Sequence, residues 1–160
     1  MDQEHLYNGS LTAEQFLFYE IRIAAKYYID GKAIEEAVEI IKKDNLFQYP
    51  TERQVSRLAR ACYKRLEALG NEQLVHELAF APSEIAKQIN LYAIMKYNRL
   101  VWEFMIQVIG EKYSNQDFSF SRKDLNAFFT RLQAQNDFVS AWSDNTVKKI
   151  KSVLVRMLVE

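Results

Sequence analysis

Few of the 160 residues are of types that do chemistry. There are two histidines, His5 and His76, and one cysteine, Cys62. A zinc site needs three or four Cys, His or carboxylate ligands that converge. These three residues are scattered along the chain, so no metal centre is expected. His5 sits in a polar N-terminus, and His76 in a short amphipathic stretch. Cys62 falls on an apolar helical face with Val55, Leu58 and Leu66, which reads as a small buried hydrophobe. Glu35, Glu36 and Glu39 form an acidic cluster. Such a cluster is either a carboxylate site or a solvated helix face, and nothing nearby in sequence makes it more than the second. Four scattered glycines do not build a phosphate-cradling loop. Catalysis requires a nucleophile with its base, a paired acid and base, or a metal cluster. The sequence therefore predicts a protein that is not an enzyme, with no cofactor and no small-molecule substrate.

The cations are organised differently. At about 100° per residue, Arg53, Arg57, Arg60 and Lys64 fall within an arc of about 60° on one helix face. Val55, Leu58, Cys62, Leu66 and Leu69 occupy the opposite side. The row spans about 16 Å at 1.5 Å per residue, the scale of two or three phosphates along a strand. Three of its members are Arg, whose planar fork suits phosphate oxygens. A solvated charged face would look similar, but the row lacks the i,i+4 Glu partners that usually accompany one; Glu52 and Glu67 lie at its ends. A second basic face carries Lys148, Lys149, Lys151 and Arg156, opposite Val147, Ile150, Leu154, Met157 and Leu158. Arg122, Lys123 and Arg131 lie on the helix before it. Helix, turn, basic helix is the shape of a helix-turn-helix, whose second helix can enter the major groove, although many helical pairs share that shape.

Those faces need helices to carry them, and the sequence supplies helical signals throughout. Only four Gly and two Pro interrupt the chain, and 49% of it is apolar. That excludes a disordered chain and leaves too few turn signals for a sandwich or barrel. The expected elements begin with a helix from near Thr12, opened by a Thr12/Gln15 capping box and stopped by Gly31, with Leu17, Ile21, Ala24 and Tyr28 on one face. A second helix covers 33–43. The connector 44–50 is apolar enough for Leu46 and Phe47 to plug the core. A third helix, 52–69, follows a Thr51/Gln54 box and ends at Gly70. A short helix covers 72–80, and Ser83 caps the next. The helical run 84–113 is long for a globular helix and is expected to break at Tyr97–Asn98, with Asn98 as cap. After a loop at 113–120, a Ser121/Asp124 box opens helix 122–135. A turn region at 136–143 precedes the last helix, 144–159. The fold class is all-α, a compact bundle of about seven helices. It is one domain, 1–160, or two small lobes, 1–81 and 82–160, the second with a helix-turn-helix-like end.

Formal net charge is zero, so nothing global points to nucleic acid. The distribution is uneven: residues 1–50 carry −4, residues 51–70 carry +3, and residues 143–160 carry +2. Local patches of this kind make fields that the total conceals. No stretch approaches the roughly 18 uncharged apolar residues of a membrane span, and Met1–Asn8 has no signal-peptide core. A single cysteine fits a reducing compartment, so the expected location is the cytoplasm, with no membrane contact.

Several stretches together resemble the BrxA family of the BREX bacteriophage-defence systems. They are Asp44–Gln48 (DNLFQ), the capped basic helix ending in Arg65, Leu66 and Leu69, Phe104–Tyr113 (FMIQVIGEKY), Asp117–Phe129 (DFSFSRKDLNAFF) and Ser143–Leu158 (SDNTVKKIKSVLVRML). The resemblance covers most of the chain in order and contains no catalytic signature. It implies an all-α, NusB-like helical fold, binding of double-stranded DNA, and action beside the other BREX-system proteins. It also implies a further segment beyond the last helix, since similar proteins usually continue past that point. The residues expected at the DNA are Arg53, Arg57, Arg60, Lys64, Arg122, Lys123, Lys148, Lys149, Lys151 and Arg156. Two other readings stay open: a protein-interaction subunit whose basic faces only solubilise it, and RNA binding through the NusB-like fold. The sequence shows no obvious aromatic platform for single-strand recognition.

Overall fold

The computed structural model describes residues 15–117 and 119–159. Among them every regular element is a helix. They divide into two compact units, one ending at Tyr97 and the other starting at Asn98. The sequence predicts a helix break at that point, and either one domain, 1–160, or two lobes divided at 81/82. The boundary falls later because the helix Ser83–Tyr97 packs on the helices before it.

The first unit contains α1 (Phe18–Ile29), α2 (Ile34–Lys43), α3 (Glu52–Leu69), α4 (Glu72–Phe80) and α5 (Ser83–Tyr97). α3 is central and packs on α1, α2 and α5, while α4 packs on α1 and α5. Its buried face carries Cys62, Tyr63 and Leu66 against Ile21, Ala24 and Ala25 of α1 and Ala86 and Ala93 of α5. Its N-terminal half joins Val38 and Ile41 of α2 and Phe47 of the connector. Phe47 therefore plugs the core as expected, and Leu46 is half-buried. The connector is fixed by Asn45, whose Nδ2 donates to the Tyr49 carbonyl (2.9 Å) while its Oδ1 accepts from the Tyr49 N–H (3.1 Å). At the N-terminus of α3, Thr51 Oγ1 accepts from the Gln54 N–H (3.2 Å), satisfying one of the free donors of the first turn. Gly70 closes the helix in a left-handed conformation (φ 62°) that costs a glycine nothing.

Two sequence expectations shift here. α1 begins at Phe18, not near Thr12; residues 15–17 are non-helical, and Thr12 lies outside the described residues. The cause is Arg65, which is only 1% exposed. Its Nη1 donates to the Phe16 carbonyl (3.0 Å) and its Nη2 to the Gln15 carbonyl (2.7 Å), and Asn90 Nδ2 adds a bond to Phe16 (2.9 Å). Carbonyls held by side chains are withdrawn from a helical ladder, and Leu17 turns the chain into α1 with φ 55°. α5 likewise starts one residue earlier than a Ser83 cap implies: its first backbone bonds run from Ile85 and Ala86 to the Pro82 carbonyl.

The second unit contains α6 (Arg99–Phe104), a π-helical segment (Met105–Gly110), α7 (Glu111–Ser114), α8 (Arg122–Gln135), α9 (Asp137–Ser140) and α10 (Asp144–Val159). Asn98 caps α6 as expected, its Oδ1 accepting from the N–H groups of Leu100 (3.0 Å) and Val101 (3.3 Å). The π-helical stretch was not anticipated. The Ser121/Asp124 capping box is present, with the Ser121 N–H on Asp124 Oδ2 at 3.0 Å. Phe104, Phe128 and Phe129 are buried and meet edge to face, Phe104–Phe128 at 5.6 Å and Phe128–Phe129 at 5.5 Å. Val147, Ile150, Leu154 and Met157 are buried as predicted; Val153 joins them, and Leu158 is only half-buried.

Candidate nucleic-acid interface

The burial of α3 sets its basic row. With Val55, Leu58, Cys62, Leu66 and Leu69 buried, Arg53, Arg57 and Lys64 are left exposed and Arg60 half-exposed. Among the described residues, Arg53, Arg57 and Lys64 form no ion pair. Arg60 does: Nη1 and Nη2 grip the Glu35 carboxylate of α2 at 2.5 and 2.8 Å. That fork holds the Glu35 carboxyl below its ordinary value and the Arg60 guanidinium above its own, the hydrogen bonds contributing most. The row thus lacks acidic partners along its own helix but gains one from the neighbouring helix. The Glu35, Glu36 and Glu39 cluster is a solvated face whose carboxylates go to three different cations, Arg60, Lys32 and Lys42. Arg57 borders Tyr49, whose hydroxyl donates to Glu20 Oε1 (2.9 Å). Burial and that carboxylate push the Tyr49 phenol up to about 12, while the Arg57 charge acts in the opposite direction.

Arg65 has no place in this row. Although it contributes to the basic count of α3, it is buried and its charge serves the backbone of residues 15–16. At about 100° per residue Arg65 falls beside Leu58 on the apolar side and off the row. What the sequence does not give is its partners, the carbonyls of Gln15 and Phe16.

The second basic face is more mixed. Lys148 and Lys149 of α10 and Arg122 and Lys123 of α8 are exposed and make no ion pair among the described residues. Arg156 is also exposed. Lys151 turns toward α8: its Nζ donates to Asn126 Oδ1 (2.9 Å) and lies 5.5 Å from the centre of the Phe129 ring. Its ammonium is therefore partly spent within the unit. The connection between α8 and α10 also departs from a helix-turn-helix. Such a motif uses a turn of about three or four residues, whereas residues 136–143 hold α9, capped by Asn136 through the Val139 N–H (3.0 Å).

A polar cleft of about 260 Å³ opens beside the π-helical stretch, lined by residues that include Lys112, Asp117, Asp124 and Arg131. Lys112 bridges Asp117 (3.1 Å) and Asp124 (3.4 Å). Hydrogen bonds from the Ser119 hydroxyl and N–H, with Lys112 beside it, draw Asp117 down to about 2. Lys112, Asp117 and Asp124 satisfy one another and hold the loop before α8. Among the described residues, no three His, Cys, Asp or Glu side chains are grouped as metal ligands, and no helix is long and apolar enough to cross a membrane. His5 lies outside the described residues.

These features define a class: an all-α protein whose helices bury one face and present exposed cations on another. Comparison narrows it. The model of the BrxA family matches residues 5–160. A curated relative, "BREX protein BrxA" of Bacillus cereus (strain H3081.97), is 32% identical over 160 residues, which is 100% of this chain and 80% of that protein. The chain belongs to the BrxA family. Its fold is also that of an uncharacterized protein from Magnetospirillum magneticum solved by crystallography. The TM-score is 0.76 at 20% identity, covering 96% of this chain and 79% of the other.

Proposed function

We propose that this protein is a non-catalytic DNA-binding component of a BREX phage-defence system, acting in the cytoplasm beside other BREX proteins and contacting duplex phosphates through its basic helix faces. The observation that carries the reading is the α3 row. Arg53, Arg57 and Lys64 stand exposed and, among the described residues, without an ion pair, on a helix whose other face is core. An exposed guanidinium aligned with its neighbours meets phosphate oxygens well, and such contacts position a protein without reading sequence. Lys148, Lys149, Arg122 and Lys123 supply further cations of the same kind. Membership of the BrxA family supports the defence setting.

A mobility-shift titration with duplex DNA tests it. Charge reversal at Arg53 and Arg57 is expected to weaken binding at least tenfold while leaving helicity unchanged, because both side chains are exposed. Unchanged affinity would remove α3 from the interface. A protein-docking reading is favoured by a different observation, the exposure of Tyr19, Ile106 and Tyr113. Capture of a BREX protein by a chain that binds no DNA at low salt would support that reading instead.

A further inference from the structure

A further cationic surface lies on α1, α4 and α5, helices that do not carry the α3 row. Phe18, Arg22 and Lys26 recur every fourth residue along α1 and so share one helix face. The Arg22 guanidinium donates to the carbonyls of Ala79 (3.1 Å) and Ala81 (2.8 Å) at the end of α4. This clamp fixes the last turn of α4 and leaves its final residue, Phe80, 56% exposed. Lys26 Nζ lies 5.8 Å from the centre of the Phe80 ring. Lys87 of α5 and Arg22 each lie 5.5 Å from the Phe18 ring. Neither Lys26 nor Lys87 forms an ion pair among the described residues. The acidic side chains nearest in sequence, Asp30 to Lys26 and Glu84 to Lys87, are exposed and pair with neither among the described residues.

The exposed Phe80 ring has His76 at 4.9 Å and the Lys26 ammonium beside it. A second ammonium, that of Lys87, lies at the Phe18 ring farther along the same α1 face. An exposed ring flanked by a line of cations matches a ligand that is both polyanionic and planar. A duplex offers the phosphates but keeps its base faces stacked inside. A single strand offers both, and base–aromatic stacking tolerates any sequence because every base has a π-face. We propose that Phe80, Lys26 and Lys87 form a contact site for single-stranded DNA, in which one unpaired base stacks on the Phe80 ring and the lysines take neighbouring phosphates. The inference shares with the duplex reading only the choice of DNA as ligand, and it rests on different residues. It also supplies an aromatic platform that the sequence does not reveal: Phe80 is legible as the end of a helix, but its exposure beside Arg22 and Lys26 depends on how α4 packs on α1.

Fluorescence anisotropy on the full chain tests it, using a labelled oligothymidylate of about 12 nucleotides, the matching oligouridylate and a duplex. Phe80→Ala is expected to weaken oligothymidylate binding about fivefold or more, the range of one lost base stack. Phe80→Tyr, which keeps a ring, should retain binding, and Lys26→Glu with Lys87→Glu should weaken it. Duplex affinity should not respond to Phe80→Ala. A change below twofold in single-strand affinity, or an equal loss on duplex and single strand, would overturn the proposal. So would tighter binding of oligouridylate than of oligothymidylate. If the wild type binds no duplex yet shows the single-strand pattern, the duplex reading fails and this one stands.

Discussion

Arg57 and Arg60 carry the same charge and differ in availability. Arg57 is exposed and forms no ion pair among the described residues, whereas Arg60 is gripped by Glu35 with two hydrogen bonds. A phosphate approaching the α3 row must displace that carboxylate before it can use the Arg60 fork. Glu35→Gln should therefore tighten duplex binding and steepen its salt dependence by about one phosphate contact, ~0.9 in the slope of log K against log salt. Nitrocellulose filter binding across a salt series reads both. An unchanged slope would mean that Arg60 stays outside the interface. The row itself was legible because 100° periodicity places its members on one arc. The Glu35 partner was not, because pairing 25 residues apart depends on how α2 packs on α3.

Elements show the same contrast between local and distant causes. The break at Asn98 was legible since a capping side chain acts on N–H groups two and three residues away. Asn98→Ala removes that acceptor from a buried site, and a loss of about 1–2 kcal/mol in stability is expected, measured by urea denaturation. The start of α1 was not legible, because the carbonyls of Gln15 and Phe16 are claimed by Arg65 some fifty positions away. Arg65→Ala removes the guanidinium donors from both carbonyls and leaves Asn90 alone on Phe16. It should cost about 2–3 kcal/mol and speed hydrogen exchange through the first turn of α1, with little direct effect on a phosphate contact. The π-helical stretch Met105–Gly110 escaped because a change of winding within a helix leaves no composition signal. In the loop before α8, Asp117 is held ionised by Ser119 and Lys112, with its pKa lowered to about 2. A depressed carboxylate stabilises the folded state above its unfolded pKa, and that contribution fades as pH falls toward 2. Carboxyl-carbon NMR should show the Asp117 midpoint below that of an ordinary aspartate. Ser119→Ala should raise it.

At the scale of the whole molecule, zero net charge conceals helix faces of opposite sign. The all-helical class was readable from the scarcity of Gly and Pro and from capping residues. Which cations are free was only half readable: Arg65 is buried and Lys151 is partly spent on α8, while Arg53, Arg57, Lys64, Lys148 and Lys149 remain exposed. Burial and pairing are tertiary facts, and charge pattern alone does not separate them. The central claim is that these exposed cations hold duplex phosphates, so salt dependence tests it most directly. Duplex affinity measured between about 50 and 200 mM salt should fall linearly on a log–log plot, and the three free cations of α3 alone account for a slope of about −2.7. Charge neutralisation at Arg53 and Arg57 should remove about 1.8 of that slope. A duplex affinity that does not respond to salt, or a slope untouched by those two substitutions, would contradict the account.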